Sequence, residues 1–331
     1  MIFGPVPLRE AEGAVLAHSV AVRQRRLRKG RVLGRADIAA LAEAQIDMVI
    51  VARLEAGDVG ENEAATTLAK AVLGSGQGLD VTPAFTGRVN LLAQGAGVVQ
   101  LDVAALEAVN AVDPMITIAT VPPHGQLANG GMAATIKIIS YAVSGSALQR
   151  AVGAAGKGAI SLARPVLHTA TLIITEIPGG AGDKGRKAIA DRLAALDVAL
   201  DAVVMVPHER DALAAALSAT QSDLVLVLTG SATSDPQDVG PSALRAAGGQ
   251  VERFGMPVDP GNLLFTGDLL GRPVIGLPGC ARAPALNGAD WVLSRIVCGV
   301  PVTARDIAGM GVGGLLKEIP TRPQPRRGAK P

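Results

Sequence analysis

Two acids, Asp235 and Asp238, stand behind a run of small residues in the segment 228–244, LTGSATSDPQDVGPSAL. Small side chains at Thr229, Gly230, Ser231, Thr233 and Ser234 leave backbone N–H groups open to a ligand, and such groups suit a phosphate. Carboxylates cannot themselves hold an anion. They point to a metal ion or a polar heterocycle beside it, or else to solvated acids on an ordinary strand-to-helix connection. Two further segments share this make-up: 176–185, EIPGGAGDKG, and 278–284, PGCARAP. Each is Gly-rich and polar and follows an apolar run. Side by side, the three would form one ligand site at the carboxyl edge of a sheet.

Placing them side by side requires a particular set of elements. Residues 223–228, DLVLVL, have the length and branched content of a buried parallel strand. Strands are also predicted over 171–175 and 201–206, and helices over 183–196, over 209–219 and from Pro241 onward. Antiparallel-looking strands follow at 250–256, 263–266 and 273–277, then a helix over 285–298. Alternating strands and helices argue for a mostly parallel sheet covered on both faces, a three-layer α/β/α domain over 165–300. Residues 1–160 read as an N-terminal α+β region. There a basic run from Arg23 to Arg35 predicts a hairpin turning at Gly30, and Asp37 is the first-turn acid of a helix to Ala44. An amphipathic helix over 61–73 stops at the glycine cluster 74–78. Residues 301–331 form a C-terminal extension whose Pro- and Arg-rich end reads as a linker.

Composition removes several function classes. One Trp, one Tyr and four Phe in 331 residues leave little for stacking bases, so single-strand nucleic-acid binding is not expected. The net charge of +2 depends on the tail: Arg322, Arg326, Arg327 and Lys330 stand there without an acid. The body is near neutral, unlike that of a nucleic-acid binder. Cys280 and Cys298 have neither CxxC spacing nor a nearby His, so no zinc site or disulfide framework is indicated, and a reducing cytoplasm fits. Residues 1–10 carry no signal-peptide pattern. The longest uncharged stretch, between Asp113 and Lys137, holds Pro122, Pro123, His124, Gln126 and Asn129 and would make a poor membrane span.

Over roughly 165–300 the chain resembles the molybdopterin-binding proteins of molybdenum cofactor biosynthesis. Their signature is a strand ending in Thr-Gly-Gly and, further on, an acid in a D-V-x-P context. Here Thr229-Gly230-Ser231 and Asp238-Val239-Gly240-Pro241 stand at matching spacing. Asp183-Lys184-Gly185 is similar to the D-K-G of the molybdopterin adenylyltransferase branch. Residues 248–279 resemble the molybdenumtransferase branch, as do Gly30-Arg31-Val32-Leu33 and Asp37-Ile38 near the start. The tail is similar to a junction that in some relatives leads into a nucleotidyltransferase domain. Three departures stand out. Ser231 replaces the second glycine, Thr175-Glu176-Ile177-Pro178 replaces T-G-D/N-E, and Pro278-Gly279-Cys280-Ala281 replaces P-G-N-P.

The resemblance implies that backbone amides of Thr229–Ser234 and of Gly279, Cys280 and Ala281, after Pro278, hold the terminal phosphate of molybdopterin. Asp183 and Asp238 would be the carboxylates at the reacting end, binding Mg²⁺ with ATP, Asp238 as metal ligand, or else hydrogen-bonding the pterin. Each could instead be a helix-capping acid. Asp235 reads as a turn former, Cys280 as a small buried residue, and Arg282 as either a phosphate partner or a solvated cation. The function implied is molybdopterin binding, extending to adenylyl transfer from Mg-ATP. The alternative is a non-catalytic carrier of molybdopterin or its adenylylated form, working with a separate nucleotidyltransferase. A homo-oligomer is expected.

Overall fold

The computed structural model describes residues 1–23 and 25–316, so the basic tail lies outside the described residues. The chain divides into two compact units: residues 1–95 with 99–162, and residues 96–98 with those from 163 onward.

The second unit is built on a six-stranded sheet. Its elements are β1 (Thr169–Glu176), α1 (Arg186–Ala194), β2 (Ala199–Pro207), α2 (Arg210–Ala219), β3 (Leu224–Leu228), α3 (Val239–Ala246), β4 (Gln250–Phe254), β5 (Phe265–Leu269), β6 (Arg272–Leu277) and α4 (Gly288–Val297). The strand order is β2-β1-β3-β6-β5-β4. Pairing is parallel from β2 through β6, and β5 and β4 add antiparallel strands at one side. All five residues of β3 are buried, as a central strand covered on both faces requires. On one face Ile189 and Leu193 of α1 and Val292 and Leu293 of α4 pack on Leu172, Leu226 and Ile275. On the other, Leu213 and Leu217 of α2 and Leu244 of α3 pack on Ile173, Val225, Phe265 and Val274. Each such side chain, fully buried, contributes about 1.5–3 kcal/mol. The three layers and the mostly parallel sheet are as the alternation predicts.

Several boundaries differ from the sequence reading, for local reasons. The 273–277 strand is antiparallel to β5 but parallel to β3, so it completes the parallel set. The helix expected from Asp183 begins at Arg186, because Gly185 takes φ +103° as its N-cap and holds Asp183 and Lys184 in the loop. The helix expected from Ala285 begins at Gly288, where Asn287 and Asp290 form a capping box. A short helix, Ala304–Gly309, lies in the segment read as an extension.

The first unit mixes antiparallel sheets with helices Arg35–Glu43, Glu61–Leu73, Val103–Val112 and Gly145–Ala154. One sheet orders strands Ile116–Thr120, Met132–Ile138, Arg88–Ala93 and Leu79–Val81. Its core includes Leu68, Val72, Leu91 and Ile136. The basic hairpin pairs Val20–Val22 with Arg25–Leu27, so it turns before Arg25 and not at Gly30. That register buries Leu27 with Leu33 and Leu41. It also brings Arg25 and Arg31 onto Asp37 at 2.9 and 2.8 Å. Gly74 ends the 61–73 helix, its N–H donating to Lys70 O, as a helix stop should.

Candidate functional site

β1, β3 and β6 are adjacent and parallel, so the segments leaving their carboxyl ends adjoin. These are loop A (177–185), loop B (229–238) and loop C (278–287). α1 and α3 begin at this same edge and turn the positive ends of their peptide dipoles toward it. The sequence's three Gly-rich segments therefore meet.

Arg282 ties them together. From loop C its guanidinium donates to Lys184 O at 2.6 Å and Gly182 O at 3.4 Å in loop A, and to Thr229 O at 2.9 Å in loop B. Partial burial pulls its pKa below the ordinary guanidinium value. A side chain at Gly185 would put Cβ 2.8 Å from Arg282 Cα, so this crossing needs a glycine. Arg282 is thus a clasp between loops; the two sequence readings for it, phosphate partner or solvated cation, both missed this bonding. Arg192 in α1 does similar work. It donates to Ala281 O, Ala283 O and Ala285 O at 3.0, 2.9 and 3.0 Å and pairs with Asp290 at 2.5 Å. The sequence placed Arg192 only on a polar helix face, and no signal distinguished it from its solvated neighbours.

Loop B is pinned at both ends and open in the middle. Thr175, 1% exposed at the end of β1, accepts the Gly230 N–H on its hydroxyl oxygen at 2.9 Å and lies 2.7 Å from His208 Nδ1. A Cβ at Gly230 would sit 2.6 Å from Thr175 O, so the loop packs tightly against β1. Thr229 and Thr233, both buried, share a hydroxyl contact of 3.2 Å. At the far end Asp238 caps α3: one carboxylate oxygen accepts from Val239 N–H at 2.7 Å, the other from Ser234 N–H at 3.0 Å. Between these anchors, among the described residues, the N–H groups of Ser231, Ala232 and Thr233 donate to no protein acceptor. Ser231 and Ser234 are exposed. Asp235 forms a turn, accepting from Gln237 N–H at 2.7 Å.

The remaining residues divide by loop. In loop A Asp183 is exposed, and among the described residues its carboxylate makes no hydrogen bond or ion pair. In loop C, Pro278 leads into a single turn, Gly279–Arg282, in which Cys280 is half-buried and Ala281 fully buried. No three of His, Cys, Asp or Glu among the described residues converge as a metal-binding group. His208, just past β2, belongs to the site but escaped the sequence reading. Its position after a parallel strand was a usable signal, by the same rule that selected the loops.

Over residues 166–296 the chain matches the sequence model of a probable molybdopterin binding domain. Those 131 residues belong to the molybdopterin-binding family of molybdenum cofactor biosynthesis. The matched span contains loops A, B and C, so the domain carries the whole candidate site. Residues 5–53 match a domain of unknown function (DUF8806). No curated protein matches the chain. Solved structures similar to it include the molybdopterin biosynthesis MoeA protein of Pyrococcus horikosii, 12% identical, covering 94% of this chain and 76% of that one, with a TM-score of 0.29. A molybdenum cofactor biosynthesis protein of Pyrococcus furiosus is 13% identical over 93% of this chain and 65% of that one, TM-score 0.25. The molybdopterin biosynthesis enzyme MoaB of Thermus thermophilus is 19% identical over 46% of this chain and 100% of its own, TM-score 0.30. Among the described residues no helix is long and apolar enough to cross a membrane.

Proposed function

We propose that the chain binds molybdopterin by its terminal phosphate and serves as a carrier or delivery module in molybdenum cofactor biosynthesis. The observation that carries this reading is the run of three amides, Ser231 to Thr233, unengaged among the described residues and held open between Thr175 and Asp238. Such a run, at an edge where two helices begin, is suited to an anion. Ser231 adds a hydroxyl to the cradle without consuming its N–H. Arg282 contributes its charge from behind while it holds the loops together. Delivery is favoured over turnover because both oxygens of Asp238 already accept backbone N–H bonds. A separate nucleotidyltransferase would then receive the cofactor or its adenylylated form.

Adenylyl transfer from Mg-ATP is the second reading, favoured by the exposed carboxylate of Asp183, which has no hydrogen bond or ion pair among the described residues. Mg²⁺ takes one or two carboxylates when substrate phosphates complete its shell, so Asp183 and Asp238 together would suffice. The ion would spread the phosphate charge. Incubating the purified chain with molybdopterin and Mg-ATP separates the two. Bound pterin without adenylylated product supports the carrier, product supports transfer, and absence of pterin binding removes both.

A further inference from the structure

Away from loops A, B and C, the first unit holds a polar cavity of about 390 Å³. The glycine cluster that stops the 61–73 helix supplies Ser75 and Gly76 to its wall. Lys157 and Ser161 come from a second Gly-rich turn and the strand after it, and Gln100 and Asp102 from the segment leading into the 103–112 helix. Backbone packing fixes these walls. A Cβ at Gly74 would overlap Lys157 O, and one at Gly158 would lie 2.8 Å from Leu73 O, so the two turns cross where no side chain fits. Ala159 N–H donates to Val72 O at 2.6 Å, and Asp102 N–H to Ala159 O at 2.9 Å.

The residues around this cavity carry donors that the chain does not use. Among the described residues, the N–H groups of Ser75 and Lys157 donate to no acceptor. Nor do the Ser75 and Ser161 hydroxyls or the Lys157 ammonium make a hydrogen bond or ion pair there. Gln100 has a buried Nε2 with no partner among the described residues, and a buried donor left unmade is costly. Free amides, an ammonium and the positive end of the 103–112 helix all favour an anion. Asp102 has the opposite preference. One of its oxygens caps that helix, accepting from Ala105 N–H at 3.0 Å, and the other has no partner among the described residues. A bare anion would meet this carboxylate unfavourably. A ligand hydroxyl satisfies it by donating, and the same kind of group can accept from the Gln100 amide.

We infer that this cavity binds the phosphate monoester of a small polyhydroxylated molecule. Lys157 and the amides of Ser75 and Lys157 take the phosphate, and Asp102 and Gln100 take the hydroxyls. Ligand sites span roughly 300–1,000 Å³, so the cavity has room for a compact ligand and for more than a phosphate. This site does not rest on the reading of loop B.

Amide NMR of the isotope-labelled full chain tests this, because it separates the cavity from loop B residue by residue. Ribose 5-phosphate should shift the amides of Ser75, Gly76, Lys157 and Gly158, and at lower concentration than inorganic phosphate or ribose does. Lys157→Gln, at an exposed position where the fold is not at stake, should weaken this binding about tenfold through the loss of one charge-assisted bond. It should leave the response of Ser231 to Thr233 as in the parent. Gln100→Leu should also weaken binding while its urea midpoint stays at or above the parent's, since it removes a buried donor that the chain itself does not satisfy. Ribose 5-phosphate shifts that are absent here, or confined to loop B, overturn the inference. So does inorganic phosphate binding as tightly, or phosphoethanolamine, whose ammonium would pair with Asp102, binding more tightly. Affinity unchanged in Lys157→Gln overturns it as well.

Discussion

Replacing Arg282 with methionine keeps most of the aliphatic stem and removes the guanidinium that joins loops A, B and C. Two of its bonds are short, 2.6 Å to Lys184 O and 2.9 Å to Thr229 O, and the third, at 3.4 Å, is weak. Hydrogen bonds from a charged donor contribute about 1.5–3 kcal/mol each. Arg282 is only half-buried, so water can replace part of what is lost, and the low end applies. Two bonds at that end give about 3 kcal/mol. With a urea slope of about 2 kcal/mol/M, the midpoint should fall by about 1.5 M. Trp291, the single tryptophan of the chain, lies in α4, so its fluorescence follows the unit that contains the site. Arg282→Lys should recover less than half of the loss, because an ammonium cannot span acceptors on two loops. A midpoint for Arg282→Met within about 0.3 M urea of the parent would refute the clasp. So would a full rescue by lysine.

Gly276→Ala should destabilise the same unit by at least about 1–3 kcal/mol by urea unfolding, because the added Cβ would lie 1.9 Å from the Phe265 ring inside the sheet's core. In the first unit, the Arg31 hydrogen bond, aided by Gly34 N–H, holds Asp37 below the ordinary carboxylate range against the opposing effect of burial. A depressed folded pKa gives stability that is present above the unfolded value of about 3.9 and lost as pH falls through the folded one. Asp37→Asn should therefore destabilise at pH 7 and flatten the acid limb of that unit's unfolding curve; an unchanged acid limb would contradict the assignment. Burial pushes the Cys298 thiol up to about 11. At pH 8 a thiol reagent should modify Cys280 in the native chain and reach Cys298 only on unfolding.

The loops were legible because their signal is local. Small residues after an apolar run mark a strand end, and the D-V-G-P start of α3 marks a capped helix whose cap, Asp238, the structure confirms as such. Arg192 and Arg282 were opaque for the opposite reason. Apart from the Arg192 bond to Ala188 O one turn back, they act on carbonyls that lie 89 to 93 and 53 to 100 residues away in the chain, and nothing in a neighbouring residue records such a bond. The hairpin register failed similarly: Gly30 is a plausible turn by type, but the burial of Leu27 and the pull of Asp37 on Arg25 and Arg31 decide where the chain reverses.

By itself the sequence determined the three-layer α/β/α unit, the three loops at its carboxyl edge and the family of residues 166–296, because periodicity and turn chemistry are written in consecutive residues. Only the tertiary structure decided which amides stay open. Gly230 and Ser234 lose theirs to Thr175 and Asp238, while Ser231, Ala232 and Thr233 keep theirs. That choice depends on which side chains from other strands reach the loop. Such reach follows from sheet order, a property of the whole chain.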